Sequence, residues 1–284
     1  MTEYGKGGDD EMIFIQTEFY SKTLEMSTQL NVLLPQRHLG IGCEAPVSRK
    51  AGHPVLYLLH GGGDDHTHWM RFTSLERYVE QRNLAVIMPN VNLSRYTNMA
   101  YGLPYKDYVE KELPEAVHSF FHLSEKREET FIAGASMGAT GALTIGLSKP
   151  ENYAAIGVFS AGNWVAEKMY TEDIMPAETI AKRRHTNFLV YGMEDTSPLI
   201  GNPEYDAFAM AQKALDEGKP LPKIFHATGT EDHKYENTQI TRRFFESLPG
   251  NPFRYEYHEC PGTHCWKVFD HWIQKFLDQI EIKE

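Results

Sequence analysis

The chain has 284 residues, 41% hydrophobic and 24% charged, enough to bury one large core with the composition of an ordinary globular protein. Its 28 basic and 39 acidic side chains leave a formal charge of −11, which argues against nucleic acid or an anionic membrane as partner, because both demand a basic face. No run approaches the ~18 apolar residues of a membrane span, and the opening MTEYGKGGDDEMIF lacks a secretory leader, so a cytoplasmic protein is expected.

In chain order, residues 13–21 and 23–35 partly alternate apolar and polar, which predicts an antiparallel pair of half-exposed strands. Residues 36–53 read as a polar loop. PVLYLLH (54–60) is continuously apolar, the mark of a strand buried on both faces. A helix over 68–82, the strand LAVIMP (84–89), a helix over 106–121 and the strand TFIAGAS (130–136) follow. The small-residue helix 137–148 and the strand 153–161 continue the alternation. Residues 162–220 break it, which predicts a cap inserted over the strand ends. The rhythm returns with 223–232, a helix near 235–247, the strand 253–259 and a last helix, 266–281. Strands alternating with helices predict an α/β protein with a mostly parallel sheet between two helical layers, in one domain.

The strongest local signal is Gly134-Ala135-Ser136-Met137-Gly138, a G-x-S-x-G between an apolar run and a helix. In a nucleophile elbow the serine sits on a strained strand-to-helix turn, and a Cβ two positions to either side would collide with that turn. A hydroxyl placed there still needs a base to take its proton. His264, in the turn Pro261-Gly262-Thr263-His264 before the last helix, is the candidate; His258 reads as a sheet residue and His271 as a helix residue. An acid should lie between serine and histidine in the chain. Asp195 closes NFLVYGMED and Asp232 closes KIFHATGTED, and both read as strand ends. Asp232 is preferred, because one helix and one strand separate it from His264, which predicts neighbouring strands.

His60-Gly61-Gly62-Gly63 follows the buried strand and resembles loops that supply a backbone N–H to an oxyanion hole. Gly62 is the first donor expected, with Gly61 as its alternative, and Met137 the second. Trp164, Asn163 and His60 are candidate substrate contacts. Trp69, Tyr96 and Tyr101 could serve either a pocket or the core. The run from His60 to His68 matches no metal-ligand spacing and no phosphate loop, so neither metal nor cofactor is expected. Cys43, Cys260 and Cys265 lack CxxC spacing and predict no disulfide framework.

Taken in order, LYLLHGGG, VIMPN, FIAGASMGA, TGTED and GTHCW resemble the esterase D-like branch of the α/β-hydrolases, closest to bacterial tributyrin esterases. Feruloyl and acetylxylan esterases and S-formylglutathione hydrolase are relatives of that branch. The resemblance implies a cofactor-free serine carboxylesterase for short acyl esters, with Ser136, Asp232 and His264 as triad. It also favours Asp232 over Asp195, and Met137 with the glycine loop as oxyanion donors. The partner implied is a small acyl ester; a thioester of a small thiol is the alternative, as are feruloyl or acetyl groups on plant polysaccharide. A homo-oligomer is left open, and so is a binding protein built on a dead hydrolase fold. The chain departs from the pattern at Ala139, where glycine is common, and at His233, where phenylalanine is usual.

Overall fold

The computed structural model describes residues 12–35, 52–80, 82–166, 176–280 and 282. Eight strands form one sheet: β1 (Met12–Ser21), β2 (Met26–Pro35), β3 (Val55–Leu59), β4 (Ala85–Pro89), β5 (Thr130–Ala135), β6 (Ala155–Phe159), β7 (Lys223–Gly229) and β8 (Glu256–Cys260). Their spatial order is β1-β2-β4-β3-β5-β6-β7-β8. From β4 through β8 every pairing is parallel, while β2 runs antiparallel to both β1 and β4. The predicted α/β class and the antiparallel start are therefore both present. The loop expected at 36–53 lies outside the described residues as far as 51.

Why β3 and β4 read as unbroken apolar runs is visible in the packing. Val55, Tyr57 and Leu59 face one core, with Ala85 and Ile87 beside them; Leu56, Leu58, Val86 and Met88 face the other. With a period of two, a strand covered on both faces must be apolar at every position. The first core is closed by the helices Leu113–Phe120, Met137–Ser148, Ala207–Asp216 and Tyr235–Ser247. The second is closed by His68–Phe72, Leu75–Glu80 and Trp266–Gln279. β1 lies at the sheet edge with only alternate residues half-buried, which accounts for its alternating pattern.

Three expectations are corrected. The helix read over 68–82 is two short helices, broken at Thr73 and Ser74, where Thr73 turns to extended backbone. The helix read over 106–121 contains a π turn at Tyr108–Glu112, where the Leu113 N–H donates to Tyr108 O, five residues back. Pro114 follows directly and has no N–H for the ordinary ladder, so the wider turn sits where an i→i−4 bond is lost anyway. The third correction bears on the site. NFLVY is not a strand but the end of the helix Ala177–Tyr191, which Gly192 terminates in the left-handed conformation, φ 75°, with its N–H on Phe188 O. Ile180, Asn187 and Val190 are its buried residues, a spacing that keeps to one helical face. Asp195 thus closes no strand.

Candidate active site

β5 ends at Ala135, and the helix Met137–Ser148 begins one residue later. Ser136 makes that junction alone, at φ 55° and ψ −119°, a backbone position that L residues rarely hold. It is held because both neighbouring strands and the helix leave no slack. The Ser136 N–H donates to Phe159 O on β6 at 2.9 Å, and its carbonyl accepts from Ala139 and Thr140 N–H. The flanking glycines are required by contact. A Cβ on Gly134 would lie 2.4 Å from the carbonyl carbon and oxygen of Gly138, and one on Gly138 would lie 2.3 Å from Leu59 O. Gly138→Ala is therefore expected to cost about 1–3 kcal/mol or more in stability, since backbone and not a flexible side chain must yield. Chemical denaturation measures it, and activity should fall with it because Leu59 and His60 lead into the glycine loop.

The histidine and the acid reach the serine from loops at the same end of the sheet, after strands two and three places along from β5. β7 pairs in parallel with β8, and the turns that follow the two strands are stitched together: Thr230 N–H donates to Cys260 O and Glu231 N–H to Gly262 O, both at 2.9 Å. That stitching sets Asp232 beside His264. His264 Nδ1 lies 2.9 Å from both carboxylate oxygens of Asp232, and Nε2 lies 2.9 Å from Ser136 Oγ. The Asp232 side chain is fully covered. Burial alone would push its carboxyl up, but hydrogen bonds from His264 and from the Lys234 N–H, at 2.7 Å, outweigh it and hold the carboxyl below the usual carboxylate range. Asp195, the other candidate acid, instead accepts from the Ser197 N–H at 3.0 Å in an exposed turn.

The glycine loop comes up beside the serine. A Cβ on Gly61 would lie 3.5 Å from Ser136 Cβ, and one on Gly62 would lie 3.8 Å from Met137 Cβ. Met137 opens its helix, so its N–H has no carbonyl one turn back.

A hydroxyl on a strained turn thus has an imidazole beside it and a buried carboxylate behind, and comparison with known proteins places the chain among esterases. The family model described as "Putative esterase" matches residues 21–281. The chain belongs to this esterase family. Among solved structures, the esterase is similar to a fluorophosphonate-binding serine hydrolase of Staphylococcus aureus, with 30% identity, TM-score 0.79, and 95% of this chain and 98% of the other covered. It is also similar to an S-formylglutathione hydrolase from Staphylococcus aureus, with 31% identity, TM-score 0.77, and coverage of 95% and 99%. Among curated proteins it is 28% identical over 263 residues to an acetyl esterase of Caldicellulosiruptor saccharolyticus, which spans 92% of this chain and 96% of that one. The esterase is a serine carboxylic ester hydrolase of the α/β-hydrolase fold.

Two of the three expected substrate contacts are corrected by burial. His60 is 1% exposed; its Nδ1 donates to Gly61 O at 2.8 Å and its Nε2 accepts from Val91 N–H at 3.1 Å. Burial pushes its pKa down to about 4, so the ring stays neutral and braces the glycine loop without a nitrogen left for a ligand. Tyr96 O–H adds a bond to His60 O at 2.9 Å. Asn163 is wholly buried, donating through Nδ2 to Asp206 and through its backbone to Thr241. Trp164 is half-buried, with the Arg95 guanidinium 3.9 Å and the Lys234 ammonium 4.4 Å from its ring centre. Trp69 and Tyr96 are core residues, and Tyr101 is exposed, stacked on Phe188 at 4.8 Å.

Three supporting residues escaped the sequence reading, and so did the bond that Trp69 makes. Arg95 and Lys234 are each about 5% exposed or less and take positions around Trp164, two residues from the acid in the case of Lys234. His226, on β7, donates through Nε2 to Ala161 O at 2.7 Å and accepts from Tyr255 O–H at Nδ1, also at 2.7 Å, fixing the exit of β6. Trp69 Nε1–H donates to Leu59 O at 3.0 Å. The His226 bonds span 29 and 65 positions of the chain, where no local pattern signals them.

Proposed function

We propose that this esterase hydrolyses small acyl esters through an acyl-enzyme on Ser136, with His264 as base and Asp232 as the acid that orients it. The observation carrying the proposal is the separation of 2.9 Å between His264 Nε2 and Ser136 Oγ, with Asp232 equally close behind. In the first step the Ser136 oxygen attacks the ester carbonyl carbon and its proton passes to His264 Nε2. The carbonyl oxygen, now negative, accepts from the backbone N–H groups of Gly62 and Met137; Gly61 is the alternative first donor. His264 gives its proton to the departing alcohol. Water then attacks the acyl carbon with His264 as base again, releasing the acid and restoring the serine.

An acetyl or similarly short acyl group is part of the proposal, supported by the acetyl esterase relative. A thioester reading is favoured by a different observation, the likeness to S-formylglutathione hydrolase. The same relay serves either leaving group, so turnover of matched p-nitrophenyl acetate and acetyl thioester substrates separates them. The insertion at 162–220 is proposed as a cap on the single domain. The helix Ala177–Tyr191 supports this, since Leu189 O and Val190 O accept from Tyr101 and Ala100 N–H, both at 2.9 Å, in the loop that leaves β4. Among the described residues no helix is long and apolar enough to cross a membrane; a cytoplasmic setting is proposed with it, on the free thiols of Cys260 and Cys265.

A fluorophosphonate probe tests the nucleophile. Peptide mass spectrometry is expected to find the adduct on Ser136 alone, and excess short-chain ester should slow its formation. An intact, unlabelled Ser136 in protein that turns over ester would overturn the proposal.

A further inference from the structure

Beside the relay stands a second imidazole. Asp232, His233 and His264 bring one ligand atom each to within 4.8 Å of one another. His233 Nδ1 lies 3.7 Å from Asp232 Oδ1, and its ring meets that of His264 at 4.4 Å between centroids. The His233 side chain is 52% exposed and that of His264 18%, whereas Asp232 is covered, so the cluster opens to solvent mainly past His233.

We infer that Asp232, His233 and His264 form an inhibitory site for a borderline divalent transition ion such as Zn2+, held by the Asp232 carboxylate and the two Nδ1 atoms. Two imidazoles, one carboxylate and a position left for water are a ligand set that zinc accepts and that Mg2+, which prefers oxygen donors, does not. Ligands about 2.0–2.2 Å from zinc stand roughly 3.3 Å apart in a tetrahedron. The observed separations of 2.9 Å from Asp232 to His264 and 3.7 Å from Asp232 to His233 bracket that value. Shifts of a few tenths of an ångström suffice there, with a larger movement of the exposed His233 ring. Arg183 and Lys234 bring positive charge toward His233 and oppose the ion, so affinity should be weaker than in a closed structural zinc site.

The inhibition follows from the tautomer, and it rests on the proposed role of His264 as base. A neutral imidazole has one ring proton. In the relay that proton stands on Nδ1 and faces Asp232, leaving Nε2 to accept from Ser136. With the ion on Nδ1, the proton stands on Nε2 instead. Nε2 then donates to Ser136 Oγ and can no longer take its proton. No covalent bond to carbon changes and no electron is transferred; the ion takes the place of the proton on Nδ1, and that proton moves to Nε2.

The test uses the full chain freed of metal with EDTA. Zn2+ is expected to suppress p-nitrophenyl acetate turnover, EDTA to restore it, and Mg2+ to have no effect. In His233→Phe the half-inhibitory concentration, taken against that variant's own metal-free rate, should rise about tenfold or more, with His233→Asn as a second folded control. Calorimetric titration of Zn2+ reads the site without catalysis: the binding event should persist in Ser136→Ala and weaken about tenfold or more in His233→Phe. Absence of zinc inhibition in the unaltered protein overturns the inference. So does sensitivity of both His233 variants equal to that of the unaltered protein, which would put the ion elsewhere, such as the His66–His68 turn. Failure of the nucleophile assignment would show separately, as turnover retained by Ser136→Ala.

Discussion

Ser136→Ala is expected to lower kcat for a short p-nitrophenyl ester by about 10^5- to 10^6-fold while leaving the protein folded. The loss is large because the hydroxyl is the atom that becomes covalent, and no other side chain can reach its place at the end of β5. The second half of the expectation comes from the backbone. Alanine has the same Cβ as serine, so it bears the same strain at φ 55°, ψ −119°, and loses only the hydrogen bond to His264. Stability should therefore change little. Ser136→Gly should be equally inactive yet melt at a higher temperature than Ser136→Ala, because glycine holds a positive φ without the ~1–3 kcal/mol of strain, a gain partly offset by its looser unfolded chain. Steady-state rates and thermal melts of the three proteins check both parts. A Ser136→Ala protein with ordinary turnover would remove the nucleophile assignment altogether.

How much of this was legible in the chain depends on how local the physics is. The turn at 134–138 is local: two glycines are needed because a Cβ at either place meets backbone within 2.4 Å, and a strand and a helix flank it immediately. β3, β4 and β5 are legible because burial on both faces demands unbroken apolar runs. NFLVY misled for the same reason. Four apolar residues ending near a glycine suit a buried strand or the last turn of a helix, and only the helical stretch from Ala177 onward decides between them. His60 misled differently. It adjoins the glycine loop in sequence, but its ring is claimed by Val91 and by its own loop, a pairing across thirty-one positions that no motif records. Asn163 is likewise fixed by Asp206 and Thr241, from two different helical regions. Those long-range bonds define which polar residues support the site and which could meet a substrate.

The rival acids give the second large effect. Asp232→Asn is expected to reduce kcat/KM by about 10^3- to 10^4-fold, and Asp195→Asn to leave it within about twofold. An amide at 232 can present its NH2 group to His264 Nδ1, which favours the tautomer with the proton on Nε2. That ring cannot accept from Ser136. The carboxylate has the opposite influence, accepting the Nδ1–H through oxygens at 2.9 Å and stabilising the positive charge that forms as the serine proton arrives. Because hydrogen bonds hold its pKa below the ordinary range despite burial, Asp232 remains ionised as pH falls well below neutrality. Titration of Asp232 should therefore not set the acid limb of the pH–rate profile. The sign for stability agrees: a depressed carboxylate pKa stabilises the fold above its unfolded value and ceases to do so as pH drops through the folded one. In Asp232→Asn that acid-side contribution disappears, so the gap in melting temperature between the variant and the unaltered protein should narrow toward low pH. A gap that widens on acidification would mean that Asp232 is protonated in the folded state, and the relay would then lack the charge that orients its base.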